Sequence, residues 1–161
     1  MKIAVISDIH DNLWALEDVL ARVQACEALF CLGDLCSPFT MTAMAQQFSR
    51  SIHVVWGNND GDRALITRQA DATGHVVLHG EFAEFDLGGR RIALTHYPHL
   101  GRALAAGQQY DLVCHGHDHQ RLASWTGRTL LLDPGEVMGR FGVRSYAVYD
   151  ADAGAAEIFE F

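Results

Sequence analysis

Nine residues able to bind metal or handle protons fall in five short clusters: Asp8 with His10, Asp34, Asn58 with Asn59 and Asp60, His96, and His117 with His119. Carboxylates, an amide oxygen and neutral imidazoles suit Mn²⁺, Fe, Zn²⁺ or Ni²⁺, whereas Mg²⁺ and Ca²⁺ prefer ligand sets made entirely of oxygen. Seven of the nine (Asp8, His10, Asp34, Asn58, His96, His117 and His119) are natural ligands. That number is too large for one tetrahedral site and fits two sites sharing a bridge. The pairs Asp8/His10 and His117/His119 each direct two ligands at one cluster with a single residue between them. Taken singly, Asp-x-His or Gly-Asp is a helix cap or a turn more often than a metal site. Three histidines within residues 115–119 are harder to explain by packing.

The elements around these clusters supply the stronger argument. Residues 2–7 are short, apolar and largely β-branched, which predicts a buried strand ending at Asp8. Asn12 is placed to cap a helix carrying Leu13, Leu16, Leu20 and Val23. Residues 28–32 form a second strand ended by Gly33-Asp34, and a helix is expected from Pro38 to about Phe48. Residues 52–56 form a third strand, ended by Gly57, with a helix over 62–72. This β-α-β-α-β order predicts a partly parallel central sheet with helices on its faces. Strands are expected over 82–87 and 91–95, joined at Gly88-Gly89, then a helix near 100–108 and a strand over 111–115. Two closing hairpins are expected, 121–126 with 128–132 and 144–150 with 155–160. The reading is a single α/β domain, 1–161, with two sheets packed face to face. Every cluster then lies just past a strand, where open α/β sheets bind ligands.

Composition limits what such a site acts on. The formal net charge is −8, from 12 basic and 20 acidic residues, and Lys2 is the only lysine. A long polyanion meets repulsion on that surface, so nucleic acid is not the expected partner and a small phosphorylated substrate is. No apolar run reaches membrane-spanning length, and a carboxylate at position 8 interrupts any secretory leader, so a cytoplasmic protein is expected. Cys26, Cys31, Cys36 and Cys114 contain no CxxC pair and read as reduced core cysteines.

The ordered set Asp-x-His (8–10), Gly-Asp (33–34), Gly-Asn-x-Asp (57–60), His96 and Gly-His-x-His (116–119) resembles the calcineurin-like metallophosphoesterase superfamily, in its small single-domain bacterial and archaeal phosphodiesterase branch. The resemblance runs from Ser7 to the closing hairpin. It implies a two-sheet β-sandwich flanked by helices and two divalent metal ions, manganese first, with iron, zinc or nickel as alternatives. It places Asp8, His10 and His119 on one ion, Asn58, His96 and His117 on the other, and Asp34 between them. The implied reaction is in-line attack on a phosphodiester by a hydroxide bridging the metals. Asp34, Asn58, Asn59 and Asp60 are the residues assigned to catalysis, Asp60 by orienting a ligand or partner. Association into dimers or tetramers is implied by analogy.

Three positions depart from the family pattern. Asn59 stands where many members have a histidine that protonates the leaving group, so substrates with acidic leaving alcohols are expected. Tyr97-Pro98 follows His96 in place of glycine and reads as a rigid loop edge. Glu136 replaces a serine after Pro134-Gly135, either facing solvent or repelling an anionic substrate. A phosphomonoesterase and a non-catalytic metal-binding scaffold are the competing readings. Asn59 counts against the first, and the seven intact ligand positions count against the second.

Overall fold

The computed structural model covers residues 1–161 and has four layers: helices, sheet, sheet, helix. The first sheet holds six strands in the order β11-β10-β1-β2-β3-β4: β11 Ala155–Glu160, β10 Ser145–Asp150, β1 Lys2–Ile6, β2 Ala28–Cys31, β3 Ser51–Val54 and β4 Val76–Leu78. The second holds five in the order β5-β6-β7-β9-β8: β5 Phe82–Leu87, β6 Arg90–Thr95, β7 Leu112–Cys114, β9 Thr129–Pro134 and β8 Arg121–Thr126. Strands β1 to β4 run parallel, as do β6, β7 and β9. The remaining pairs are antiparallel.

Burial on both faces explains the near-continuous apolar runs of the inner strands. Ile3 and Val5 of β1 pack between the sheets with Phe30, Leu94, Leu112, Leu132 and Tyr149. Ala4 and Ile6 point the other way, into a core shared with helices α1 (Leu13–Arg22), α2 (Pro38–Gln47) and α3 (Arg63–Thr73). Helix α4 (Pro98–Ala106) covers the far side of the second sheet through Ala105, against Ala93, Val113 and Leu131. Each of these cores excludes water from an apolar face, which is the main favourable contribution to the fold.

Local chemistry sets the helix starts. Asn12 accepts a hydrogen bond from the Ala15 N–H at 3.2 Å and Asp62 from the Leu65 N–H at 3.0 Å, satisfying orphan donors of α1 and α3. Proline occupies the first position of α2 and α4, where no N–H is needed. Tyr97-Pro98 is therefore a helix entry. Strand β4 was not expected from sequence. Three residues between the α3 cap Gly74 and Gly80 are too few for a legible alternation, and pairing with β3 decides their conformation. No helix is long and apolar enough to cross a membrane.

Candidate metal centre

The carboxyl ends of β1, β2, β3, β6, β7 and β9 open onto one rim, and the loops there carry Asp8, Asp34, Asn58, His96, His117 and Glu136 in turn. Backbone hydrogen bonds tie these loops together: His10 N–H to Asp34 O at 2.9 Å, Gly116 N–H to His96 O at 3.1 Å and Met138 N–H to Asp8 O at 3.0 Å. The turns are tight enough to strain the chain. Asp8, His10, Asp34, His117 and His119 all have positive φ, between 45° and 78°. A non-glycine residue in this region costs on the order of 1 kcal/mol or more, and such outliers concentrate at functional sites. Gly57 is required by close approach, since a Cβ there would collide with the Asp34 carboxylate.

All seven ligand-type residues identified from sequence come together. Asp8 Oδ1 lies 3.7 Å from His10 Nε2 and 3.3 Å from His119 Nε2. Asp34 Oδ2 lies 3.5 Å from both His10 Nε2 and His96 Nε2, so it joins two groups of side chains. Around His96 Nε2 are Asn58 Oδ1 at 3.1 Å and His117 Nδ1 at 3.2 Å. Asp8, His10 and His119 could hold one metal ion, and Asp8, Asp34 and His96 also lie close enough to share one.

The tautomers favour a cation between these groups. His96 Nδ1 faces the Leu32 carbonyl at 2.7 Å and must donate to it, leaving the Nε2 lone pair directed at the oxygens of Asp34 and Asn58. His119 Nδ1 donates to Glu136 Oε2 at 2.8 Å, leaving its Nε2 lone pair facing Asp8 Oδ1. Lone pairs opposed at these distances repel unless a proton or a metal ion lies between them. Asp8 Oδ1 and His10 Nε2 are buried with no hydrogen-bond partner, as expected of ligand atoms. The donor set therefore fits divalent metal.

The electrostatic field agrees. Asp8, Asp34 and Glu136 are almost completely buried, and histidines are their only ion-pair partners. The Asp8 carboxylate beside it, with Cys36 next, pushes His10 up to about 10. Burial disfavours the charged form of Asp34, but His96 and the two Asn59 donors outweigh it and hold the carboxyl well below the usual range. A field that binds protons this firmly on imidazole also favours a divalent cation.

Asn59, Asp60 and Glu136 surround the ligands rather than extending them. The Asn59 backbone N–H donates to Asp34 Oδ1 at 2.8 Å and its side-chain amide to Oδ2 at 2.7 Å. Asp60 accepts from the N–H groups of Gly57 at 2.7 Å, Cys36 at 2.9 Å and Asp34 at 3.2 Å, pinning the 57–60 turn to the 34–36 turn. Glu136 neither faces solvent nor meets the substrate space as a free charge. It is 1% exposed, and it holds His119 with one oxygen while the other accepts from the N–H groups of Phe141 and Gly142. The clue in the sequence was its position two residues past Pro134, at a strand end like every other cluster. Two aromatic rings flank the centre: Tyr97, edge-on to His96 at 5.3 Å, and Phe141, edge-on to His119 at 5.1 Å.

Comparison with known proteins adds to this geometry. Residues 1–154 match the family model for the calcineurin-like phosphoesterase superfamily domain. A phosphodiesterase of Methanocaldococcus jannaschii is 26% identical over 158 residues, 94% of each chain. The solved structure of an archaeal phosphodiesterase has a TM-score of 0.92 at 23% identity, covering 100% of both chains. Wild-type Vps29 of Entamoeba histolytica, solved in complex with zinc, has a TM-score of 0.71 at 20% identity, covering 99% of this chain and 91% of that one. At such identities the two structures speak to fold, and the family match speaks to descent. The chain belongs to the calcineurin-like phosphoesterase superfamily.

Proposed function

We propose that this chain is a phosphodiesterase that uses two divalent metal ions to cleave small phosphodiesters. The observation that carries the reading is Asp34 Oδ2, equidistant at 3.5 Å from His10 and His96 and so able to serve both ions. Asp8, His10 and His119 would hold one ion, Asn58, His96 and His117 the other. When bound, the ions supply positive charge for the phosphoryl oxygens and lower the pKa of water between them. Manganese is the ion expected first, with iron, zinc or nickel as alternatives.

The protein's own groups then position and shield. Asn59 holds both oxygens of Asp34, so that carboxylate cannot rotate away during the reaction. Glu136 fixes His119 in the tautomer whose Nε2 faces the centre. With the ions bound, water would attack phosphorus in line, opposite the leaving alcohol. The Asn59 amide is engaged by Asp34 and is no general acid, so alcohols that leave without a proton are favoured. Tyr97 and Phe141, beside His96 and His119, would give the two ester groups apolar neighbours, and the net charge of −8 selects small substrates over polymers. A reducing cytoplasm suits the four free cysteines, three of them buried. Assembly into dimers or tetramers is part of the proposal.

Comparing turnover of bis-p-nitrophenyl phosphate with p-nitrophenyl phosphate tests the substrate class. Preference for the diester is expected; faster cleavage of the monoester would point to a phosphomonoesterase.

A further inference from the structure

Behind the dinuclear centre, on the α4 side of the 115–119 segment, lies a second cluster of ligand-type side chains that the proposed reaction does not use. His115, Asp118 and Asp133 bring a ring nitrogen and two carboxylate oxygens within 4.8 Å of one another. His115 Nδ1 lies 3.2 Å from Asp133 Oδ2, and both side chains are 1% exposed. Three of the cluster's atoms, His115 Nε2, Asp118 Oδ1 and Asp133 Oδ2, are buried without a hydrogen-bond partner. Asp133 Oδ1 is taken by the Gly135 N–H at 2.9 Å, and Asp118 Oδ2 faces Arg102 Nη2 at 3.4 Å on the rim. Both carboxylates line a cavity of about 150 Å³, together with His115, Arg102 and Arg121.

A buried polar atom without a partner costs roughly 1–3 kcal/mol, more when charged; here Asp118 Oδ1 and His115 Nε2 have none, and Asp133 Oδ2 has only the His115 ring beside it at 3.2 Å. Something positive belongs between these groups. We propose that His115, Asp118 and Asp133 form a third divalent-cation site, separate from the dinuclear centre and completed by water in the cavity. One imidazole and two carboxylates suit zinc or manganese, and a cavity of this size leaves room for the remaining water ligands.

Its position gives the site a role. His115 and Asp118 belong to the segment that carries His117 and His119, and Asp133 lies three residues before Glu136, which holds His119. A cation there braces both the strained 117–119 turn and the end of β9 without touching substrate. Because it binds only the folded arrangement, it also stabilises the fold by mass action.

The test is a zinc count on the full chain, stripped with chelator, reloaded and passed through gel filtration, with elemental analysis and calorimetric titration as parallel readouts. The wild type is expected to retain one more zinc ion per chain than His115→Ala or Asp133→Asn. Both variants should still hold the ions of the dinuclear centre and should lose a zinc-induced rise in melting temperature that the wild type shows. Should either variant fail to fold, Asp118→Asn, at the partly exposed rim, decides on the same count. An unchanged count in the folded variants overturns the proposal and leaves a proton as the group joining the carboxylates. The outcome is independent of the dinuclear reading. If that reading alone fails, the wild type holds a single ion that His115→Ala removes; if the third site alone fails, wild type and variant both hold two.

Discussion

Asn59 grips Asp34 by both carboxylate oxygens, its backbone N–H on Oδ1 and its side-chain amide on Oδ2, at 2.8 and 2.7 Å. A residue that looks from sequence like a missing proton donor is in place a clamp on the carboxylate shared by the two halves of the centre. Asn59→Ala removes the side-chain donor and keeps the backbone one. Metal affinity should then fall about tenfold, the lower end of what outer hydrogen bonds contribute. Manganese titration of diesterase turnover checks this, and an unchanged titration midpoint would mean the clamp has no bearing on metal.

Glu136 joins His119 to the loop bearing Phe141. Glu136→Ala should weaken metal binding by about 10- to 100-fold and free the 139–143 loop together. Glu136→Gln should retain part of both, since an amide oxygen still accepts from one side. Metal titration reads the first effect and limited proteolysis near Phe141 the second.

Asp60 acts on stability. Three backbone N–H groups lose their acceptor in Asp60→Ala, and unsatisfied buried donors cost about 1–3 kcal/mol each. A loss of about 3 kcal/mol or more is expected, a drop in melting temperature of roughly 10 °C. Asp60→Asn, which keeps one acceptor oxygen, should lose less. Thermal melts of the chelator-stripped proteins separate this effect from metal release.

His53 supplies a pH dependence away from the centre. It stacks on Phe85 and His79 and meets Phe30 edge-on; burial, with His79 adding, pushes it down to about 4. Its folded value lies below the ordinary 6.5, so the unfolded chain binds the proton more readily. The stability it contributes is present above pH 6.5 and is lost as pH falls toward 4. His53→Phe should flatten the decline of melting temperature over that window relative to the wild type, and parallel curves would contradict the assignment.

Much of this architecture was legible in the residues because the chemistry sits where strands stop. Asp8, Asp34, Asn58, His96 and His117 each follow an apolar run closely, so alternation of elements and the gathering of ligand-type residues could be read together. What remained hidden depends on contacts between distant positions. The His119–Glu136 hydrogen bond and the His115–Asp133 pair each join two segments that only the second sheet brings together. Positive φ at Asp8, His10 and Asp34 leaves no trace in composition, since aspartate and histidine serve equally in ordinary turns. Strand β4 escaped because its pairing with β3, rather than its own three residues, makes it a strand.

The most direct test of the two-metal phosphodiesterase is hydrolysis of bis-p-nitrophenyl phosphate by chelator-stripped protein as Mn²⁺ is returned, for the wild type and Asp34→Asn. The wild type should be inactive without metal and recover as two ions bind at the centre. Asp34→Asn should stay at least 100-fold slower at saturating metal and bind both ions more loosely, because one group serves both. Turnover that survives stripping, or an Asp34→Asn protein as active as the wild type, would contradict the account.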